Sequence, residues 1–195
     1  MEVYLVRHTT PKIGKGICYG QTNLEIEESL FGQELKRIQD MLPKDLDEVY
    51  SSPLQRCVVL AQHLSASYKT DQRLMEMNFG DWENKYWHDI EQQTLNHWME
   101  DFVHVAVPNG ESYMCLYQRT LSFIAQLQSS NKQKVAIVTH AGNIRSLISF
   151  ALSLALEHSF RIHLDYGAVV LIELDKKENY HKLRAIMSNS SLLKD

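Results

Sequence analysis

A chain of 195 residues is long enough to bury roughly 70 % of its unfolded surface as one domain, 1–195, without a metal or disulfide staple. Its 20 Lys+Arg against 24 Asp+Glu give a formal net charge of −4 with no basic run, which argues against a nucleic-acid partner. The longest apolar runs, Cys57–Ala61 and Ala168–Ile172, fall far short of the roughly 20 residues that cross a bilayer, so a membrane partner is not expected either. Met1–Arg7 begins acidic and lacks a basic segment before an apolar one, so a cytoplasmic location is expected. Cys18, Cys57 and Cys115 are odd in number and widely spaced, as reduced thiols are.

Glu2–Val6 reads as a β-branched and aromatic strand ended by Arg7-His8-Thr9-Thr10-Pro11, which leaves Arg7 and His8 at its C-terminal edge. Residues 9–27 have no period and are punctuated by Pro11, Gly14, Gly16 and Gly20, the composition of a long binding loop. Phe31, Leu35, Ile38 and Leu42 then recur at helical spacing up to Pro43. Glu48–Tyr50 predicts a second strand, and Ser51-Ser52-Pro53 predicts the start of a helix over 53–66 with Arg56 in its first turn. A polar stretch from Glu76 to Trp87 precedes helical patterns near 87–101 and over 110–128, the second with Tyr113, Tyr117, Leu121, Ile124 and Leu127 on one face.

Lys134–Thr139 reads as a buried strand with His140 at its end, then Ala141-Gly142-Asn143 and a helix carrying Ile144, Leu147, Ile148, Ala151 and Ala155 on one side. Ala168–Leu174 and Tyr180–Ile186 are the last strands, joined by the polar 175–179 turn as an antiparallel edge. Strands alternating with helices predict an α/β fold, a three-layer α/β/α sandwich with a mostly parallel central sheet and an antiparallel edge strand.

Ligands of open α/β sheets sit beyond the carboxyl ends of the strands. Arg7-His8, Arg56 and His140 all arrive there, a set suited to a phosphoryl group: guanidinium forks bind its oxygens and an imidazole attacks phosphorus. Nearby arginine charge keeps the attacking imidazole neutral. A departing alkoxide needs a proton, for which Glu76, amid Leu74, Met75, Met77 and Phe79, is one candidate and Glu83 a competing one; Glu76 with Arg73 could equally be a solvated pair.

Five segments in order, Arg7-His8-Thr9, Ser51-Ser52-Pro53-Leu54-Gln55-Arg56, Glu76-x-x-Phe79-Gly80-x-Trp82-Glu83, Pro108-Asn109-Gly110-Glu111-Ser112 and Thr139-His140-Ala141-Gly142-x-Ile144-Arg145, resemble the successive motifs of the histidine phosphatase superfamily. The resemblance implies a phosphoglycerate-mutase-like fold, a phosphohistidine intermediate and no cofactor or required metal. It implies His8 as nucleophile, Arg7 and Arg56 as holders of the phosphoryl oxygens, His140 as donor to a non-bridging oxygen, and Glu76 as general acid and then base. The backbone after His140 would add a donor, with Ala141 standing where members often have glycine. Thr9, Gly20, Gln21, Glu83 and Ala141 are the expected substrate contacts.

Within the superfamily, Thr9-Thr10-Pro11 and Cys18-Tyr19-Gly20-Gln21-Thr22-Asn23-Leu24 are most similar to bacterial α-ribazole phosphatases, with Asn23 where aspartate is frequent. That likeness implies hydrolysis of α-ribazole 5′-phosphate or its cobalamin-linked form, a small phosphorylated partner, by a monomer or homodimer. The alternatives are a broad-specificity sugar-phosphate or nucleotide phosphatase, a phosphoglycerate mutase, or a binding module without turnover. His63, His97, His104, His158, His163 and His181 are expected to be structural, a His88-Asp89 metal site is disfavoured, and Trp82, Trp87 and Trp98 are expected in the core ahead of a base-binding wall.

Overall fold

Strands that are apolar on both faces need cover on both sides, and that demand organises this molecule. The computed structural model describes residues 1–175 and 180–188. Strands β1 (Glu2–Arg7), β2 (Glu48–Ser51), β3 (Lys69–Thr70), β4 (Lys134–Thr139), β5 (Val169–Glu173) and β6 (Lys182–Met187) form one sheet in the order β3-β2-β4-β1-β5-β6. Neighbours from β3 to β1 run parallel; β5 is antiparallel to both β1 and β6. The reversed strand is therefore one place in from the edge, and the 175–179 turn lies largely outside the described residues.

Alternate residues choose the layer. Val3, Leu5, Val135, Ile137 and Val170 pack with Phe123 and Ile124 of α4 (Tyr113–Gln128) and with Ile144, Leu147 and Ile148 of α5 (Ala141–Leu152). Tyr4, Val6, Ala136, Val138 and Val169 pack oppositely, against Ile38 of α1 (Glu28–Met41) and Cys57, Leu60 and Ala61 of α2 (Gln55–Leu64). This is the expected three-layer sandwich. A smaller core of Met77, Trp82, Val103, Val107 and Tyr113, flanked by Phe79, Trp87 and Trp98, holds the irregular 72–112 segment and α3 (Gln92–Glu100).

Several boundaries differ from the sequence reading, each for a local reason. Helix α2 starts two residues late because Ser52 still belongs to the sheet: its N–H bonds Val138 O at 2.9 Å and its Oγ accepts from Leu54 N. The 87–101 pattern splits into a 3₁₀ turn, Trp87–Asp89, and α3, because Glu91 caps the N–H groups of Gln93 and Thr94. Ser153, at φ 52, closes α5 in the left-handed region and leaves Ala155 outside it and exposed. In α4 the buried face is Tyr113, Leu116, Thr120, Phe123, Ile124 and Leu127, while Tyr117 and Leu121 flank it. Polar Thr120 had masked that face; its hydroxyl bonds Leu116 O and receives Asn143 Nδ2. Among the described residues no helix is long and apolar enough to cross a membrane.

Candidate active site

Register builds the centre of the site. Arg7 pairs with Thr139 across parallel β1 and β4, so the next residue of each strand, His8 and His140, leaves the sheet side by side. Adjacent strands are about 4.8 Å apart, and the two imidazole centroids lie 5.1 Å apart at 60°. Both rings are buried, with 2 % of His8 and none of His140 exposed.

Hydrogen bonds fix their tautomers. His8 Nδ1 is 2.7 Å from Thr9 O, which can only accept, so the proton is on Nδ1 and Nε2 keeps its lone pair. Arg56 Nε reaches that lone pair at 3.3 Å. Arg56 Nη2 faces His140 Nδ1 at 3.3 Å, which makes Nδ1 an acceptor and leaves Nε2–H to donate to Ser52 Oγ at 2.8 Å. Burial first, and then the charge of Arg56, holds both histidines well below their ordinary range; Arg7 adds to this at each. The neutral imidazole expected from arginine charge is thus owed in larger part to desolvation.

Arg56, the second residue of α2, is fully buried, and donates to Thr22 O at 2.8 Å and Gly20 O at 2.6 Å. Gly20 is required by crowding: a Cβ there would lie 1.9 Å from Met77 O. Glu83, expected at the substrate, instead ties this loop from below. One oxygen takes Gln21 N at 2.8 Å and Phe79 N at 3.1 Å; the other takes Thr22 N and Oγ1. Asn23 Oδ1 accepts from Gln55 N at 2.8 Å and so supplies α2 with the cap that Leu54 cannot.

Arg7 donates to Leu164 O at 2.5 Å and its guanidinium carbon lies 4.0 Å over the Tyr166 ring. Tyr166, which no motif signalled, stands 5.6 Å from the His8 ring and shares a 2.6 Å hydrogen bond with Tyr19 OH. Thr9 is buried with its Oγ1 unpartnered among the described residues. Ala141 opens α5, whose first N–H groups have no intrahelical acceptor.

Glu76 does not pair with Arg73, which binds Asp71 at 2.7 Å. Its carboxylate accepts from Met77 N at 2.9 Å and, at the start of α5, from Gly142 N at 3.1 Å. A Cβ on Gly142 would lie 2.2 Å from Glu76 Oε1, so that glycine, present in the motif but given no role, is what admits the carboxylate. His8, Arg7 and Glu76 share a cavity of about 200 Å³ whose remaining wall is largely apolar, with Tyr19, Phe79, Trp87 and Phe160 beside one further cation, Arg145. Trp82 stays in the core while Trp87 reaches the wall.

Of the remaining groups, none of the six other singled-out histidines lines this cavity. His88 and Asp89 are exposed, 3.5 Å apart, and among the described residues no further ligand joins them in a metal-holding group. The three cysteines are free; burial pushes the Cys57 thiol, 3.5 Å from His140 Nε2, up to about 12.

His8, Arg7 and Glu76 face this cavity, while Arg56 and His140 do not line it and instead contact the His8 ring; a buried neutral imidazole beside guanidiniums, with a carboxylate in the same cavity, can receive a phosphoryl group and supply or remove a proton. The chain is similar to known proteins in both sequence and shape. The chain is 28 % identical over 186 residues to “Putative phosphoserine phosphatase 2” of Hydrogenobacter thermophilus, covering 91 % of this chain and 92 % of that protein. It is 29 % identical over 156 residues to the adenosylcobalamin/alpha-ribazole phosphatase of Escherichia coli, 74 % of each chain. The solved alpha-ribazole phosphatase of Shigella flexneri superposes with a TM-score of 0.85 at 25 % identity over 96 % of both chains. The sequence profile of the histidine phosphatase superfamily (branch 1) spans residues 3–186, a stretch that includes His8, Arg56, Glu76 and His140, and to that superfamily of phosphatases the chain belongs.

Proposed function

We propose that the protein is a metal-independent phosphomonoesterase in which His8 carries the phosphoryl group between two in-line transfers. The observation that carries this reading is the His8 tautomer: Thr9 O holds the Nδ1 proton, so Nε2 presents a lone pair beside Arg56. In the first transfer Nε2 bonds to phosphorus as the P–O bond to the alcohol breaks, and Glu76 protonates the departing oxygen. In the second, Glu76 takes a proton from water as its oxygen attacks phosphorus, and the N–P bond electrons return to His8. Arg7 and Arg56 neutralise charge on the equatorial oxygens. His140 accepts from Arg56 in the free protein; a phosphoryl dianion beside it favours imidazolium, which then donates to a non-bridging oxygen.

The substrate we favour is α-ribazole 5′-phosphate or its cobalamin-linked form. Support comes from the apolar, aromatic wall of Tyr19, Phe79, Trp87 and Phe160, which suits a flat base, and from the alpha-ribazole phosphatases among the relatives. One observation favours a second reading, phosphoserine. Arg145 lies half-buried in the same wall, held by Nε to Ile162 O at 3.0 Å and stacked 5.1 Å from Phe160, and makes no ion pair among the described residues. Its remaining donors suit a substrate carboxylate. Initial rates with chelator present, for α-ribazole 5′-phosphate, phosphoserine, 3-phosphoglycerate, fructose bisphosphates and nucleotides, decide the matter. The highest kcat/KM is expected for α-ribazole 5′-phosphate. A preference for phosphoserine that Arg145→Met abolishes assigns the second reading instead, and no phosphate release from any of them contradicts the enzyme reading.

A further inference from the structure

Glu76 sits in a segment that is neither helix nor strand once the 3₁₀ turn Gln72–Leu74 has ended, so its carbonyls must be satisfied from elsewhere. Side chains do so at four consecutive residues. Asn143 Nδ2 and Arg119 Nη1 reach Arg73 O, Thr139 Oγ1 reaches Leu74 O, Arg119 Nη1 reaches Met75 O, and Arg119 Nη2 with Gln21 Nε2 reaches Glu76 O. One guanidinium thus spans the backbone on both sides of the carboxylate, at 2.6 Å to Met75 O and 2.9 Å to Glu76 O.

The guanidinium is itself aimed by Glu111, the acidic residue of the Pro108–Ser112 motif. Arg119 Nε meets Glu111 Oε1 at 2.9 Å and Nη2 meets Oε2 at 3.0 Å, a two-pronged pair with about a fifth of each side chain exposed. Glu111 is bound to the same segment from the other side. Its Oε2 accepts from Asn78 N at 2.9 Å and its own N–H donates to Asn78 O at 2.8 Å. Gly110 permits this approach, since a Cβ there would lie 2.4 Å from Asn78 O.

We propose that Arg119 and Glu111 form a positioning clamp that holds Glu76 at the proton-transfer distance, Arg119 gripping the carbonyls at and before Glu76 while Glu111 grips Asn78 beyond it. Neither side chain lines the cavity, and both act through the backbone that carries Glu76. This inference rests on the reading of Glu76 as proton donor.

The test compares leaving groups. p-Nitrophenolate departs without acid help, whereas an alkoxide needs it, so displacement of Glu76 lowers kcat/KM, which reports the first transfer, for the alkyl phosphate alone; hydrolysis of the shared phosphohistidine appears only in kcat. For Arg119→Lys and Glu111→Gln, kcat/KM is expected to fall about 30-fold on the alkyl phosphate and less than about threefold on p-nitrophenyl phosphate. In a Glu76→Gln background the same substitutions are expected to change kcat/KM for the alkyl phosphate by less than about twofold, because the group they position is already gone. Equal loss of kcat/KM on both substrates, or full additivity with Glu76→Gln, overturns the clamp. Glu111→Gln keeps size and one acceptor, and a matching thermal melt for it separates positioning from unfolding should Arg119→Lys not fold. If Glu76→Gln alone is indifferent to leaving group, the reading of Glu76 fails; if it discriminates and the clamp variants do not, only the clamp fails.

Discussion

Two histidines kept neutral inside the protein make its stability depend on pH in a calculable way. His8 and His140 are buried beside Arg56, and their ability to take a proton in the folded state is held well below the ordinary value of 6.5, by burial first. In the unfolded chain both titrate near that value. Below it the unfolded state binds two protons that the folded state refuses, so stability falls as pH falls, and the loss continues until the folded-state values are reached. For each ring still neutral at pH 5, the loss between pH 7 and pH 5 is about 2 kcal/mol, or about 4 kcal/mol for the pair. Urea unfolding in phosphate-free buffer at the two pH values, for wild type and for His8→Gln/His140→Gln, isolates this part from every other titrating group. The double variant is expected to lose about 4 kcal/mol less than wild type over that interval. An equal loss in both proteins would refute the neutral, desolvated pair.

Two further outcomes follow from close contacts. Gly142→Ala drives a methyl into Glu76 Oε1 and Leu116 Cδ2, at 2.2 Å and 2.7 Å from its built position; kcat/KM for the alkyl phosphate is expected to fall about 100-fold with that for p-nitrophenyl phosphate much less affected, and unchanged alkyl-phosphate kinetics would remove Gly142 from the site. Asn23→Ala deletes the acceptor for Gln55 N and is expected to cost about 1 kcal/mol, lowering Tm by about 3 °C; an unaltered melt would mean that α2 finds another cap.

What the sequence made legible is what one element decides alone. The runs Val3–Val6 and Val135–Val138 announce strands covered on both faces, and each hands a histidine to its C-terminal end; parallel pairing in register then had only to bring the two rings together. Groups whose partners lie far along the chain were harder to read. Glu83 looked like a rival acid because nothing local indicates that residues 61 and 62 positions earlier occupy its oxygens. Gly142 meets Glu76 across 66 residues, and Tyr166 reaches His8 from a loop without motif. The two-residue strand β3 carries too short a pattern to register, and Thr120 interrupts an apolar stripe because its hydroxyl is satisfied inside the fold.

The nucleophile can be interrogated directly by rapid quench of Glu76→Gln during p-nitrophenyl phosphate turnover. That leaving group needs no acid, so the first transfer proceeds while the second lacks its base and the covalent species accumulates. Peptide mapping by mass spectrometry is expected to find one acid-labile, base-stable phosphoryl group per chain, attached to His8. Phosphoryl on another residue, or steady turnover with His8 unmodified at every quench time, would contradict the account.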